Sequence, residues 1–360
     1  MTRDYSAFLP GSAPAPTRAE TALRALGWGP SFAAQIDADA LAATPPVRVM
    51  AVHRAGMQVQ GDGITAMLPP IPEATVGDWL LHDRDHPHDS RLLDRTSLIR
   101  RRAAGRDARM QPIAANIDTV FVVTSCNADF NVARLERYLA LAFEAGMEPV
   151  ILLTKPDLAD DPAPYLQAAA GISDRVPALA LDARGADPVA ALSDWCKTGR
   201  TVAFLGSSGV GKSTLTNALL GVDKLATQAI REDDAKGRHT TTHRQLHAVP
   251  GGCLVLDTPG MRELQMAEAA DGIADLFDDI TALAAACRFS DCAHETEPGC
   301  AVRAAIAAGT LEADRVARWT KLQAEDAFNS ASLAQRRDRD RAFGKVVRQA
   351  SKQAKDKRGL

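Results

Sequence analysis

A chain of 360 residues exceeds the usual size of one domain, and its 46% hydrophobic composition supplies apolar surface for two or three cores. The N-terminus carries Pro, charge and small residues where a signal peptide needs an apolar run, and no stretch approaches the ~20 apolar residues of a membrane helix, so a cytoplasmic protein without a membrane partner is expected. The six cysteines, three of them within fourteen residues, suit reduced thiols and a metal better than a secreted disulfide framework. Charge is unevenly spread. Residues 91–109 are net +5 and residues 331–360 net +7 against an overall −3, which leaves −15 elsewhere and points to an anionic partner at defined places.

Residues 1–44 mix Pro10, Pro14 and Pro16 with a short helical stretch around Thr21–Leu26 and read as an extension, mobile at its start. From Pro45 the pattern becomes short β-like runs at Val47–His53, Met57–Gln60, Ile64–Leu68 and Val76–His82. Gly61-Asp62-Gly63 between the second and third is a hairpin signal. Such strands over residues 45–110 suggest a small barrel, OB-like or SH3-like, with the Arg-rich run Arg91–Arg109 as a loop.

From Ile113 strands and helices alternate. Ile117–Thr124 is a continuous apolar strand, and Asn131 caps a helix running to Glu144 and closed by Gly146. Glu148–Leu153, Val176–Leu181, Thr201–Leu205 and Cys253–Leu256 are further strands. This alternation predicts a parallel sheet covered by helices on both faces, with ligands at the carboxyl ends of its strands.

Three motifs fall at such ends. Thr154-Lys155-Pro156-Asp157 matches the [NT]-K-x-D pattern by which a carboxylate, here Asp157, accepts two N–H donors that guanine has and adenine lacks, with the Lys155 stem along the purine. Gly206-Ser207-Ser208-Gly209-Val210-Gly211-Lys212-Ser213-Thr214 fits the phosphate loop G-x-x-x-x-G-K-[ST]. Its backbone N–H groups cradle a polyphosphate, Lys212 reaches the β/γ-phosphates and Ser213 ligates Mg²⁺. Asp257-Thr258-Pro259-Gly260 offers an Asp for Mg²⁺ through water and a Gly N–H for the γ-phosphate. Between these lies the polar stretch Gly237–Arg244. One of its threonines, with Thr241 chosen, is a second Mg²⁺ ligand ordered by the γ-phosphate. The base motif precedes the phosphate loop, whereas in ordinary GTPases it follows, so the domain is circularly permuted and whatever comes after Gly260 is joined directly to the switch.

After a helix over Gly272–Ala285, Cys287, Cys292, His294 and Cys300 form a closed Cys₃His set of the structural zinc type. Cys126, Cys196 and Cys253 read as core. Helical patterns from Ala305 end in basic runs at Arg336–Arg341 and Lys352–Arg358, suited to phosphate-backbone contact. Phe343 is the one aromatic there, which gives stacking on bases little support.

On Gln111–Asp118, Thr154–Leu158, Gly206–Asn217, Gly237–Thr242, Asp257–Gly260 and the zinc cluster with Glu297–Val302, the chain resembles the ribosome small subunit-dependent GTPase A (RsgA) family over about residues 45–350. The resemblance implies an OB-fold barrel (45–110), a circularly permuted P-loop α/β GTPase domain (111–285) and a mostly helical zinc-binding C-terminal domain (286–360). It also implies GTP and GDP, Mg²⁺ and one structural Zn²⁺ as cofactors, and the small ribosomal subunit and its rRNA as partners of a monomer. The implied activity is subunit-stimulated GTP hydrolysis in late small-subunit maturation.

The chain departs from the family pattern in places. Thr154 stands for the commoner Asn, which predicts weaker base affinity, and Asp182-Ala183 stands for Ser-Ala, leaving the Ala183 backbone to meet guanine O6. Met261 occupies the place of a water-orienting Gln, so slow hydrolysis is expected until a switch residue, with His239 chosen, is positioned on the ribosome. Gly209 stands where potassium-activated GTPases have Asn, so cation stimulation is not expected. Two rivals remain: a zinc and RNA-binding assembly protein whose nucleotide only stabilises the fold, and a P-loop ATPase or kinase.

Overall fold

The computed structural model describes residues 18–53, 55–102, 110–185, 188–221, 244–257 and 268–330. Three short helices, α1 (Arg18–Ala25), α2 (Pro30–Ala33) and α3 (Ala38–Ala43), come first. Within the expected extension, Leu23, Leu26, Trp28, Phe32 and Leu41 are buried, and Trp28 meets Trp79 edge-on at 4.8 Å. Aromatic burial of this size holds the segment against the first strands. Arg48 fastens it further: the buried guanidinium donates to Leu26 O (2.5 Å), Asn116 O (2.9 Å) and Gly77 O (3.2 Å). Burial pushes its pKa down to about 10, with Asp118 and Asp78 pulling the other way, so it stays a cation at neutral pH.

β1 (Pro46–His53), β2 (Gly56–Gly61) and β3 (Ile64–Leu68) form an antiparallel meander, and the Gly61↔Ile64 pair closes the expected two-residue turn. A register shift between Val49 and Ala51 lets β1 bend. Its other edge takes β4 (Trp79–Leu81), which in turn takes β5 (Arg91–Leu92). Among the described residues no ladder joins β3 to β5. The Arg-rich run expected as a loop contains β6 (Leu98–Arg102) as well as β5, and β6 pairs with β7 (Met110–Ala115). Ile99 is buried while Arg100 faces solvent. High charge marks a solvated face, and a strand satisfies that as well as a loop does.

The second unit comprises β8 (Thr119–Ser125), β9 (Glu148–Thr154), β10 (Ala178–Ala180), β11 (Thr201–Leu205), β12 (Arg244–Ala248) and β13 (Leu254–Asp257). Their order is β10-β9-β8-β11-β13-β12, parallel except for β12. Every residue of β8 and β11 is buried, as strands covered on both faces must be. α4 (Val132–Glu144) links β8 to β9, and the Asn131 side chain accepts from Arg134 N at 2.9 Å, as its capping position requires. α5 (Ala163–Ala170), α6 (Pro188–Ala191) and α7 (Lys212–Leu220) complete the layers. β12 pairs antiparallel with β1 through Ala51↔Gln245 and Val52↔Arg244, so one eleven-stranded mixed sheet runs through both units.

α8 (Ala270–Leu276), α9 (Asp278–Ala285), α10 (Ala301–Ala307) and α11 (Ala313–Ser330) follow. The single helix expected over Gly272–Ala285 breaks at Phe277, whose backbone (φ −113°, ψ 43°) leaves the helical region while its ring is fully buried. Polar contacts seat α11 on the sheet unit, among them Arg315 Nη1 donating to Ile172 O at 2.9 Å. Asp326 accepts from Ala269 N at 2.9 Å, and Arg318 Nε donates to both oxygens of the buried Glu136 on α4 at 2.9 and 2.8 Å. Burial pushes Glu136 above the usual carboxylate range, while Arg318 and Arg315 pull it down. Among the described residues no helix is long and apolar enough to cross a membrane.

Candidate functional site

Three strand ends meet at one side of the parallel sheet. β9 runs into Thr154, β11 into Gly206 and β13 into Asp257. Gly206 turns with φ 146°, and a Cβ there would lie 2.2 Å from Val123 O, so the chain leaves β11 tight against β8 only because this residue has no side chain. Gly211 then caps α7, whose first turn carries Lys212, Ser213 and Thr214. Lys212 Nζ donates back to Gly206 O at 2.7 Å and to Ser207 O, so the ammonium already sits inside the curve of the loop. Ser208 and Gly209 are exposed at its tip, while Val210 is buried beneath it.

The base motif grips this loop from the other side. Lys155 takes a left-handed conformation (φ 57°) and its Nζ donates to Gly209 O at 2.8 Å. Pro156–Leu158 form a 3-10 turn that leaves Asp157 exposed. Ala183 Cβ lies 3.8 Å from where a Cβ on Gly211 would stand, so it borders the loop, while Asp182 accepts from Arg184 N at 2.8 Å within its own turn. Asp257 is half-buried; burial pushes its carboxyl upward, with His247 pulling it down. A carboxylate in that position gains from a nearby cation. Thr241, His239, Gly260 and Met261 lie outside the described residues.

Thr154 does something that motif reading missed. Fully buried, its hydroxyl faces Val210 O at 2.6 Å and Thr124 O at 3.0 Å, tying the phosphate loop to β8 and β9. One proton serves two carbonyls, so the shorter contact carries the bond. The signal was present in the sequence, because a hydroxyl at the end of a fully buried strand needs an internal partner. Thr154→Val keeps the shape and strands the Val210 carbonyl. We expect GTP and GDP affinity to fall together by about 5- to 10-fold, the equivalent of ~1–1.5 kcal/mol, in titrations with fluorescent nucleotides. Unchanged affinity for both would remove this role.

The second cluster is built by α9, α10 and the turn between them. The ligand atoms of Cys287, Cys292, His294 and Cys300 all lie within 4.8 Å of one another. Cys287 Sγ is 3.9 Å from Cys300 Sγ, and His294 Nδ1 is 3.6 and 3.4 Å from the two sulfurs. A tetrahedron with Zn–S near 2.3 Å and Zn–N near 2.0–2.1 Å has edges of about 3.8 and 3.5 Å, so these residues fit zinc, and the sulfurs are far beyond disulfide length. Ala301 N donates to Cys287 Sγ and Arg303 N to Cys300 Sγ, both at 3.4 Å, which favours thiolates. Glu297 accepts from Ala293, Glu295 and Thr296 N–H groups at 3.0 Å. Its own N–H and these donors pull its carboxyl down to about 2, so it stays ionised and holds the turn across the working pH range. The His294 ring packs on Trp319 of α11 at 5.6 Å.

The RsgA GTPase family model matches residues 92–267. The small ribosomal subunit biogenesis GTPase RsgA 2 of Vibrio parahaemolyticus is 48% identical over 329 residues, spanning 91% of this chain and 92% of the relative. The chain belongs to the RsgA GTPase family. A further RsgA relative, the small ribosomal subunit biogenesis GTPase of Mesorhizobium japonicum, is 49% identical over 323 residues, 87% of this chain and 92% of its own. Among solved structures, YjeQ from Thermotoga maritima superposes with a TM-score of 0.58 at 24% identity, covering 77% of this chain and 96% of its own. YloQ, a circularly permuted GTPase, does so with 0.56 at 22%, covering 80% and 96%. These two show the fold: a circularly permuted GTPase with a mixed sheet, here followed by a helical C-terminus that holds the Cys₃His cluster. The matched RsgA region takes in the base motif, the phosphate loop and Asp257, and ends before the cysteine cluster.

Proposed function

We propose that this chain hydrolyses GTP to GDP and phosphate in late maturation of the small ribosomal subunit, with hydrolysis stimulated by the subunit. The observation that carries the proposal is the meeting of Lys155 and Lys212 over one phosphate loop, from a base motif that precedes the loop in the chain. N–H groups of Gly206–Gly211 receive the phosphates, and Lys212 exchanges the carbonyls of Gly206 and Ser207 for β/γ-phosphate oxygens. Asp157 accepts from the guanine N–H donors, Lys155 lies along the ring and the Ala183 N–H meets O6. Ser213 and Thr241 hold Mg²⁺ directly and Asp257 holds it through water; when bound, the ion neutralises charge on the phosphate oxygens. Gly260 N–H meets the γ-phosphate. Met261 cannot orient water, so turnover is slow until His239 is positioned on the subunit.

The remaining assignments follow the same reading. Residues 45–110 act as an OB-fold barrel and 111–285 as the GTPase domain. Residues 286–360 form a zinc domain whose four ligands leave no open coordination position, so its zinc is structural. The zinc domain and the basic C-terminal segment contact rRNA as parts of a monomer. Base choice tests the reading. Asp157→Asn removes the carboxylate that two N–H donors require, and GTP affinity is expected to fall by about 100-fold or more while xanthosine triphosphate gains. Equal competition by ATP and GTP against the unmodified protein would instead favour a general P-loop ATPase.

A further inference from the structure

Among the described residues, most buried or half-buried arginines have partners. Arg95 pairs with Asp78 at 2.7 Å, Arg315 with Asp279 at 3.0 Å and Arg318 with Glu136 at 2.8 Å, and Arg48 spends its guanidinium on three carbonyls. Arg101 breaks the pattern, and Arg244 beside it has one long bond. Alternation along β6 puts Arg101 on the face of buried Ile99, opposite exposed Arg100, and its buried Nε has no hydrogen-bond partner. Arg244 opens β12, is half-buried beside β1, and donates from Nη1 to Pro112 O on β7 at 3.3 Å. The bond to Pro112 O sets Arg244 beside the β7 residues that pair with Arg100 and Arg101, and burial first, with the Arg101 charge second, pushes its guanidinium downward. Among the described residues no carboxylate forms an ion pair with either.

Two like charges in partial burial, one with an orphaned N–H, face no carboxylate among the described residues, which makes an anion a favourable guest. Their forked donors match oxyanion geometry, and they sit on the segment that carries net +5 over residues 91–109. That surplus suits a repeating polyanion better than a single acidic side chain. We infer that Arg101 and Arg244 form an oxyanion site that takes a backbone phosphate of RNA and ties the β6–β7 hairpin to the strand following residues 222–243. Arg244 directly follows the Gly237–His243 stretch, so a phosphate held there bears on the part of the chain expected to answer to GTP. The inference rests on the ribosomal reading above and names a contact within it.

The test uses the full chain and purified small ribosomal subunits, with affinity measured across about 50 to 200 mM salt. The R101M/R244M double variant is expected to bind about 10- to 100-fold more weakly, with a log–log salt slope lower by about 1 to 2. Its Tm should be no lower than that of the unmodified protein, because the repulsion is gone. R101K/R244K is expected to keep the slope and recover part of the affinity. Unchanged affinity and slope in R101M/R244M overturn the site. So does a lowered Tm with R101K/R244K behaving like R101M/R244M, because the arginines would then be structural. Displacement of subunits by poly-glutamate in preference to a short RNA oligonucleotide overturns it in favour of an acidic protein partner. If the unmodified protein binds no subunits at any salt, the ribosomal reading fails. The site is then judged on the RNA oligonucleotide alone, where weaker binding by R101M/R244M sustains it and equal binding removes it.

Discussion

Lys212→Ala is expected to lower GTP turnover by about 10²- to 10³-fold, with and without ribosomal subunits. The side chain is the cation held inside the phosphate loop, against Gly206 O and Ser207 O, and its stem is fixed by the first turn of α7. A preorganised charge at the place where negative charge develops contributes on the order of 3–4 kcal/mol, and a methyl group supplies none of it. Arginine should not rescue, because a planar fork does not fit where a compact ammonium sits. Phosphate release in single turnover is the measurement. A rate within about 3-fold of the unmodified protein would place hydrolysis elsewhere.

Gly272→Val is expected to destabilise the protein by about 3 kcal/mol or more and to lower its Tm by roughly 10 °C. α8 lies so close to α4 that a Cβ on Gly272 would stand 2.1 Å from Ala140 O and 2.6 Å from Glu144 N. Both are main-chain atoms, so no rotamer change relieves the clash and the helices must separate. Separation also breaks the bond from Gly272 N to Glu144 Oε2, at 2.9 Å. α8 is the first described helix after Asp257, and the N–H of Ala269, at its start, is held by Asp326 of α11. The residue therefore stands at the junction of the GTPase sheet, the segment after the Asp257 strand and the C-terminal helices. An unchanged thermal midpoint would mean that this contact is looser than it stands.

What the sequence made legible was whatever local chemistry determines. Asn131 caps α4, Glu144 ends it and β11 delivers the phosphate loop at Gly206, because capping, apolar runs and glycine geometry act within a few residues. The Cys₃His cluster was equally plain, since thiols and imidazole at that spacing have few other uses. What stayed hidden depends on distant partners. β12 has Leu246 as its only buried residue among Arg244-Gln245-Leu246-His247-Ala248 and becomes a strand because β13 and β1 flank it. The break at Phe277 follows from where its ring must go. The bond from Thr154 to Val210 O emerges only once β9 lies beside β8 and the loop folds over both.

GTP hydrolysis by the unmodified protein, with and without purified small subunits, decides whether this permuted P-loop GTPase works on the small ribosomal subunit. A subunit-triggered GTPase turns over slowly alone and at least about 10-fold faster with subunits, a rise that Lys212→Ala abolishes. Equal slow rates in the two conditions, with nucleotide bound in both, would contradict it and leave a nucleotide-stabilised RNA-binding assembly protein as the better description.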